Sequence, residues 1–88
     1  MGEKVYERPR ERLRSIGVAS LSRIELLQLI IGSGNSRVSG AKLARMVDEL
    51  LANGVVSYET LVSLPGLGEA KACQLLASFE IGARVSEP

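Results

Sequence analysis

Apolar residues along this chain recur at helical spacing, and no stretch shows the strict alternation of a half-buried strand. Leu13 and Ile16 lie three apart behind Arg8-Pro9-Arg10, where Pro9 suits a first helical turn and Gly17 a stop. A first helix is expected over Arg10–Ile16. Ser22 and Glu25 have capping-box spacing, and Leu21 with Leu26 fits a hydrophobic staple. A second helix should therefore run to Gly32. Ile24, Leu27 and Ile31 share one face and Leu26, Leu29 and Ile30 the other, which is the mark of a buried helix.

Gly32-Ser33-Gly34-Asn35-Ser36-Arg37 reads as a loop. A third helix is expected over Ser39–Ala52, with Leu43, Val47, Leu50 and Leu51 as its stripe and Asn53-Gly54 ending it. Ser57 can cap a short fourth helix over Tyr58–Ser63, turning Leu61 and Leu64 inward. A fifth helix is expected over Glu69–Val85. Its main face is Ala72, Leu75, Leu76, Phe79 and Ala83, and a second apolar line is Ala70, Cys73, Ala77 and Ile81. Two apolar faces predict a central helix, with Cys73 a small buried hydrophobe. The expected fold is all-α: a compact five-helix bundle with short connections. Residues 1–9 form an N-terminal arm, 10–85 the helical domain, and 86–88 a tail or linker to a further domain.

Composition narrows the chemistry. The 88 residues contain no histidine and one cysteine, so the usual general base near neutral pH, an internal disulfide and a thiolate metal cage are all excluded. Neither an enzyme nor a cofactor or metal site is expected, and no small-molecule substrate is implied. No apolar run approaches the roughly 20 residues of a membrane span, and a soluble cytoplasmic protein is the expectation. Aromatic residues are limited to Tyr6, Tyr58 and Phe79, too few for a base-stacking platform, and Tyr6 reads as a tether of the arm. Net charge is only +1, yet Lys4, Arg8, Arg10, Arg12 and Arg14 crowd the first segment against Glu3, Glu7 and Glu11. That segment is either a solvated mixed-charge face or a basic arm that touches phosphate or a partner.

One local signal carries chemistry: Leu64-Pro65-Gly66-Leu67-Gly68-Glu69-Ala70-Lys71-Ala72. Glycines allow a tight turn and a close approach of another backbone. Leu67 can plug inward between the two helices, leaving the amides of Gly66, Gly68 and the following first turn facing out. Such amides, at the positive end of a helix, suit an anion, and Lys71 adds a charge one turn in. Glu69 is a favourable first-turn charge that also opposes an anion at the same place. The plainer alternative is an αα-corner whose glycines serve packing alone.

The segment resembles the helix-hairpin-helix motif, which holds the sugar-phosphate backbone without reading sequence. Arg8-Pro9-Arg10-Glu11-Arg12-Leu13, Leu21-Ser22 with Glu25-Leu26-Leu27, Ile31-Gly32-Ser33-Gly34, the hairpin itself and Glu80-Ile81-Gly82-Ala83-Arg84 together resemble the N-terminal domain of the RadC family. These are bacterial proteins named for DNA repair. Family members carry a C-terminal JAB/MPN-type domain with a zinc site built on histidine and aspartate, and this sequence has no histidine. The resemblance also implies that Gly32-Ser33-Gly34 is a degenerate first hairpin, with Ser33 in place of the apolar plug, against the alternative of a flexible polar loop. It implies DNA-backbone contacts at Gly66, Leu67, Gly68 and Lys71. Secondary contacts fall at Gly32, Gly34, Arg37, Lys42, Arg8 and Arg10, and Arg45 lies near them. The expected function is weak, non-specific DNA binding. The alternative is a docking module for the C-terminal domain or another partner.

Overall fold

In the computed structural model, which describes residues 8–35 and 37–86, the helices are α1 (Pro9–Ile16), α2 (Arg23–Ile31), α3 (Gly40–Ala52), α4 (Tyr58–Val62) and α5 (Gly68–Ser86). A single 3-10 turn, Val18–Ser20, separates α1 from α2, and no strand occurs among the described residues. Lys4, Tyr6 and the rest of residues 1–7, with Ser36 and residues 87–88, lie outside the described residues.

Serine side chains start three of the helices. Ser22 Oγ accepts from the Glu25 amide at 3.1 Å, and the Ser22 amide donates to Glu25 Oε1 at 2.8 Å, completing the expected box. Ser39 Oγ accepts from the Lys42 amide at 3.1 Å, and Ser57 Oγ from the Thr60 amide at 3.1 Å. α1 starts differently: the Arg8 amide donates to Glu11 Oε1 at 3.0 Å, with Pro9 in the first turn. Gly17 ends α1, its amide donating to the Leu13 carbonyl at 2.9 Å.

The core is aliphatic throughout. Leu27 and Ile31 of α2, Leu43, Ala44 and Val47 of α3, Leu61 of α4, and Ala72 and Leu75 of α5 form one buried cluster with Leu67. Each fully buried leucine contributes roughly 1.5–3 kcal/mol. α2 packs against α3, α1 and α5, so the middle of the fold is α2. This corrects the expectation that α5 is central. Ala72 and Leu75 are buried and Leu76 and Phe79 half-buried, but Ala70, Cys73, Ala77, Ile81 and Ala83 are exposed. Its second line of small side chains is left largely to solvent, and residues 80–86 are all exposed. Cys73 is accordingly not a core residue, also against expectation.

The α2–α3 connection is unusually tight. Gly40 is buried, and a Cβ there would overlap the Gly32 carbonyl. The Gly40 amide donates to the Ser33 carbonyl at 2.8 Å, and Gly34 and Ser39 form an antiparallel bridge. The end of α2 and the start of α3 are thus held backbone to backbone. No helix among the described residues is long and apolar enough to cross a membrane.

Candidate nucleic-acid interface

The turn between α4 and α5 has the geometry that its glycines suggested. Gly66 and Gly68 adopt φ of 84° and 81°, and Leu67 between them is buried at 4% exposure. Side chains with a Cβ rarely adopt that backbone. Gly66 and Gly68 themselves are exposed, and Lys71 is half-buried on the first turn of α5. Unlike α2, α3 and α4, α5 receives no side-chain cap among the described residues. The first-turn amides of an α-helix, here those from Gly68 on, have no partner within the helix itself. Unpaired first-turn amides carry the positive end of the helix dipole.

Gly32-Ser33-Gly34 repeats this geometry, with φ of 84° at Gly32 and 89° at Gly34, but Ser33 is exposed where Leu67 is buried. Asn35 follows it and works in two directions. Its Oδ1 accepts from the Arg37 and Val38 amides at 2.8 and 3.0 Å, and its Nδ2 donates to the Gly66 carbonyl at 3.0 Å. The loop carrying Gly34 and Arg37 is thereby joined to the α4–α5 turn. Arg37, Lys42 and Arg45 are all exposed.

A separate basic surface lies on α1. Arg8, Arg10 and Arg14 line an open cleft of about 540 Å³ that also takes in Gly32 and Ser33 at the end of α2. Ser39 and Ala41 at the start of α3 close its far wall. Arg12 turns the other way and pairs with Glu25 of α2. Of the expected contact residues, then, Arg8, Arg10 and Gly32 share this cleft, whereas Gly66, Leu67, Gly68 and Lys71 belong to the α4–α5 turn.

Three charged contacts shape the electrostatics. The Ser22 amide does most to hold Glu25 below its ordinary carboxylate value; burial opposes it next in size, and the Arg12 guanidinium adds to the lowering. Arg23 of α2 pairs with Asp48 of α3, whose hydrogen bond and charge hold the guanidinium proton more firmly. Tyr58 Oη donates to Glu69 Oε2 at 3.0 Å, and this bond is the main reason the phenol proton is harder to remove. Glu69 is therefore tied to α4 at the first turn of α5.

The sequence placed Arg14 in the basic first segment but did not single it out as a contact, and it did not mark Asn35 or Gln28. Arg10 and Arg14 stand four apart, which places them on one face of a helix. That spacing was a readable signal. The bond from Asn35 to Gly66 and the place of Gln28 in the cleft carried none, because each depends on segments distant in sequence.

The family described as UPF0758 N-terminal matches residues 4–73. A UPF0758 protein of Bacillus licheniformis is 41% identical over 83 residues, covering 90% of this chain and 37% of the relative. The UPF0758 protein YsxA of Bacillus subtilis is 39% identical over 83 residues, covering 90% and 36%. A UPF0758 protein of Bacillus cereus is 42% identical over the same length, covering 90% and 37%. The chain thus spans little more than a third of the length of these relatives. No solved structure matches it significantly.

Proposed function

Because the chain belongs to the UPF0758 family through its N-terminal domain, the domain that the RadC resemblance indicated, we propose that it is a non-catalytic module that holds the DNA backbone without reading sequence. The observation that carries this reading is the start of α5. A turn with two left-handed glycines leads into its first turn of amides, and Lys71 stands one turn in. A phosphate oxygen is the partner such amides lack. The joined Gly-x-Gly turns add a second contact strip with Arg37 and Lys42.

Affinity is weak. Some three or four phosphates can be neutralised, which gives a log–log salt slope of about −3 and a Kd at the weak end of ~10⁻⁴–10⁻⁶ M at physiological salt. Fluorescence anisotropy with single-stranded, duplex and branched DNA at two salt concentrations tests this. Lys71→Ala should weaken all three equally and reduce the slope by about one. Loss of binding with the slope unchanged, or no binding at low salt, overturns it.

A second reading rests on α5 itself. Ile81 and Val85 are 61% and 79% exposed, on a helix whose outer line of Cys73 and Ala77 is also uncovered. The relatives extend well beyond the matched segment, and this face suits docking of that remainder. Apolar docking is insensitive to salt, which separates it from phosphate binding.

A further inference from the structure

We propose that the cleft between α1 and the α2–α3 connection binds a phosphate ester, and that it does so independently of the α4–α5 turn. Three arginines of α1 and the residue before it line the cleft: Arg8, Arg10 and Arg14. Guanidinium donors match phosphate oxygens in pairs and remain charged at any physiological pH. Gln28, Ser33, Ser39 and Ala41 line the cleft too, residues that carry a carboxamide, hydroxyls and a helix-start amide able to donate. Ala41 is the second residue of α3, where a helix amide has no partner within the helix.

Glu11 is the one acidic residue among those lining the cleft, and its Oε1 accepts from the Arg8 amide in the α1 cap. The cleft therefore presents three positive groups against one carboxylate that already has a partner. Its floor is rigid, because Gly40 packs against the Gly32 carbonyl and donates to that of Ser33. A preorganised floor with charged, longer side chains at the rim fits an anion held on one side and open to solvent on the other. At about 540 Å³ the cleft exceeds what one phosphate fills, leaving room for the sugar or base attached to it. The phosphate can be a diester of a nucleic-acid backbone or the terminal group of a nucleotide.

The test is a nuclear magnetic resonance titration of the isotopically labelled 88-residue chain. The probes are inorganic phosphate, a deoxynucleoside monophosphate and a short single-stranded oligonucleotide, each against sodium chloride of equal ionic strength. All three should shift the Ser33 and Ala41 amides and the Gln28 side-chain amide. Arg10→Gln and Arg14→Gln should each weaken the oligonucleotide roughly fivefold at about 0.1 M salt, the loss of one phosphate contact. Arg84→Gln removes the same charge from the far end of α5 and should change binding by less than about twofold. All three arginines are exposed, so the variants keep the fold, and a helical circular-dichroism spectrum verifies it.

Cleft signals that no phosphate probe moves overturn the proposal. So do shifts confined to Gly66–Lys71, an outcome that leaves the hairpin reading standing. A mononucleotide that moves the cleft signals while the oligonucleotide fails to bind supports the cleft and overturns the DNA reading.

Discussion

Asn35 Nδ2 donates a 3.0 Å hydrogen bond to the carbonyl of Gly66, joining two Gly-x-Gly turns across a sequence separation of 31 residues. The same side chain closes its own loop through the Arg37 and Val38 amides. Asn35→Ala removes all three bonds. At an exposed site water replaces part of what is lost, so a cost of about 1–2 kcal/mol is expected. Asn35→Asp keeps the acceptor for the loop but sets a carboxylate against the Gly66 carbonyl, and should also destabilise. Urea denaturation of both variants measures this. An unchanged midpoint for Asn35→Ala would show that the two turns are not energetically joined.

Gly40→Ala is expected to reverse the usual sign of that substitution in a helix. Propensity alone favours alanine by up to about 1 kcal/mol. Here the added Cβ overlaps the Gly32 carbonyl, a backbone atom that cannot move away as a side-chain end can. Overpacking of this kind costs about 1–3 kcal/mol, so the net change should be a loss. A melting temperature equal to or above that of the parent would contradict the close approach of α2 and α3.

Glu25 ties α1 to α2 and gives a defined acid response. Its folded-state value is depressed, first by the Ser22 amide and then by Arg12. The stabilisation is therefore fully present above the ordinary value of 4.5 and is lost as pH falls through the lower folded value. Glu25→Gln can still accept from the Ser22 amide but carries no charge for Arg12. Denaturation midpoints of parent and variant should differ at neutral pH and converge below that ordinary value. A constant difference across the acid range would show that the charge is not involved.

Cys73 is exposed on α5, so an aromatic disulfide reagent should label it in the native protein at nearly the rate seen in denaturant. Protection by more than about a hundredfold would mean that something covers this face, since labelling would then need an opening costing about 3 kcal/mol.

How far the sequence reached can be traced residue by residue. The Ser22 and Ser57 caps, the Gly17 stop and the inward Leu61 and Leu67 were all legible, whereas Ser39, expected as the first residue of its helix, is its cap. Each depends on neighbours within a few residues, and helix ends are governed by local hydrogen bonding. The five helices follow for the same reason. Which helix lies in the middle was not legible. α2 and α5 both show apolar residues on two faces, and periodicity records what can be buried, not what a partner covers. Packing chose α2, with α3, α1 and α5 around it, and left the line of Cys73, Ala77 and Ile81 outside. Candidate chemistry divides in the same way. Glycine spacing by itself located the turn at Gly66 and Gly68. Only the tertiary fold could set Arg8, Arg10 and Arg14 across from Ser33 and Ala41, or bring Asn35 to Gly66, because those contacts form only where chain segments distant in sequence meet.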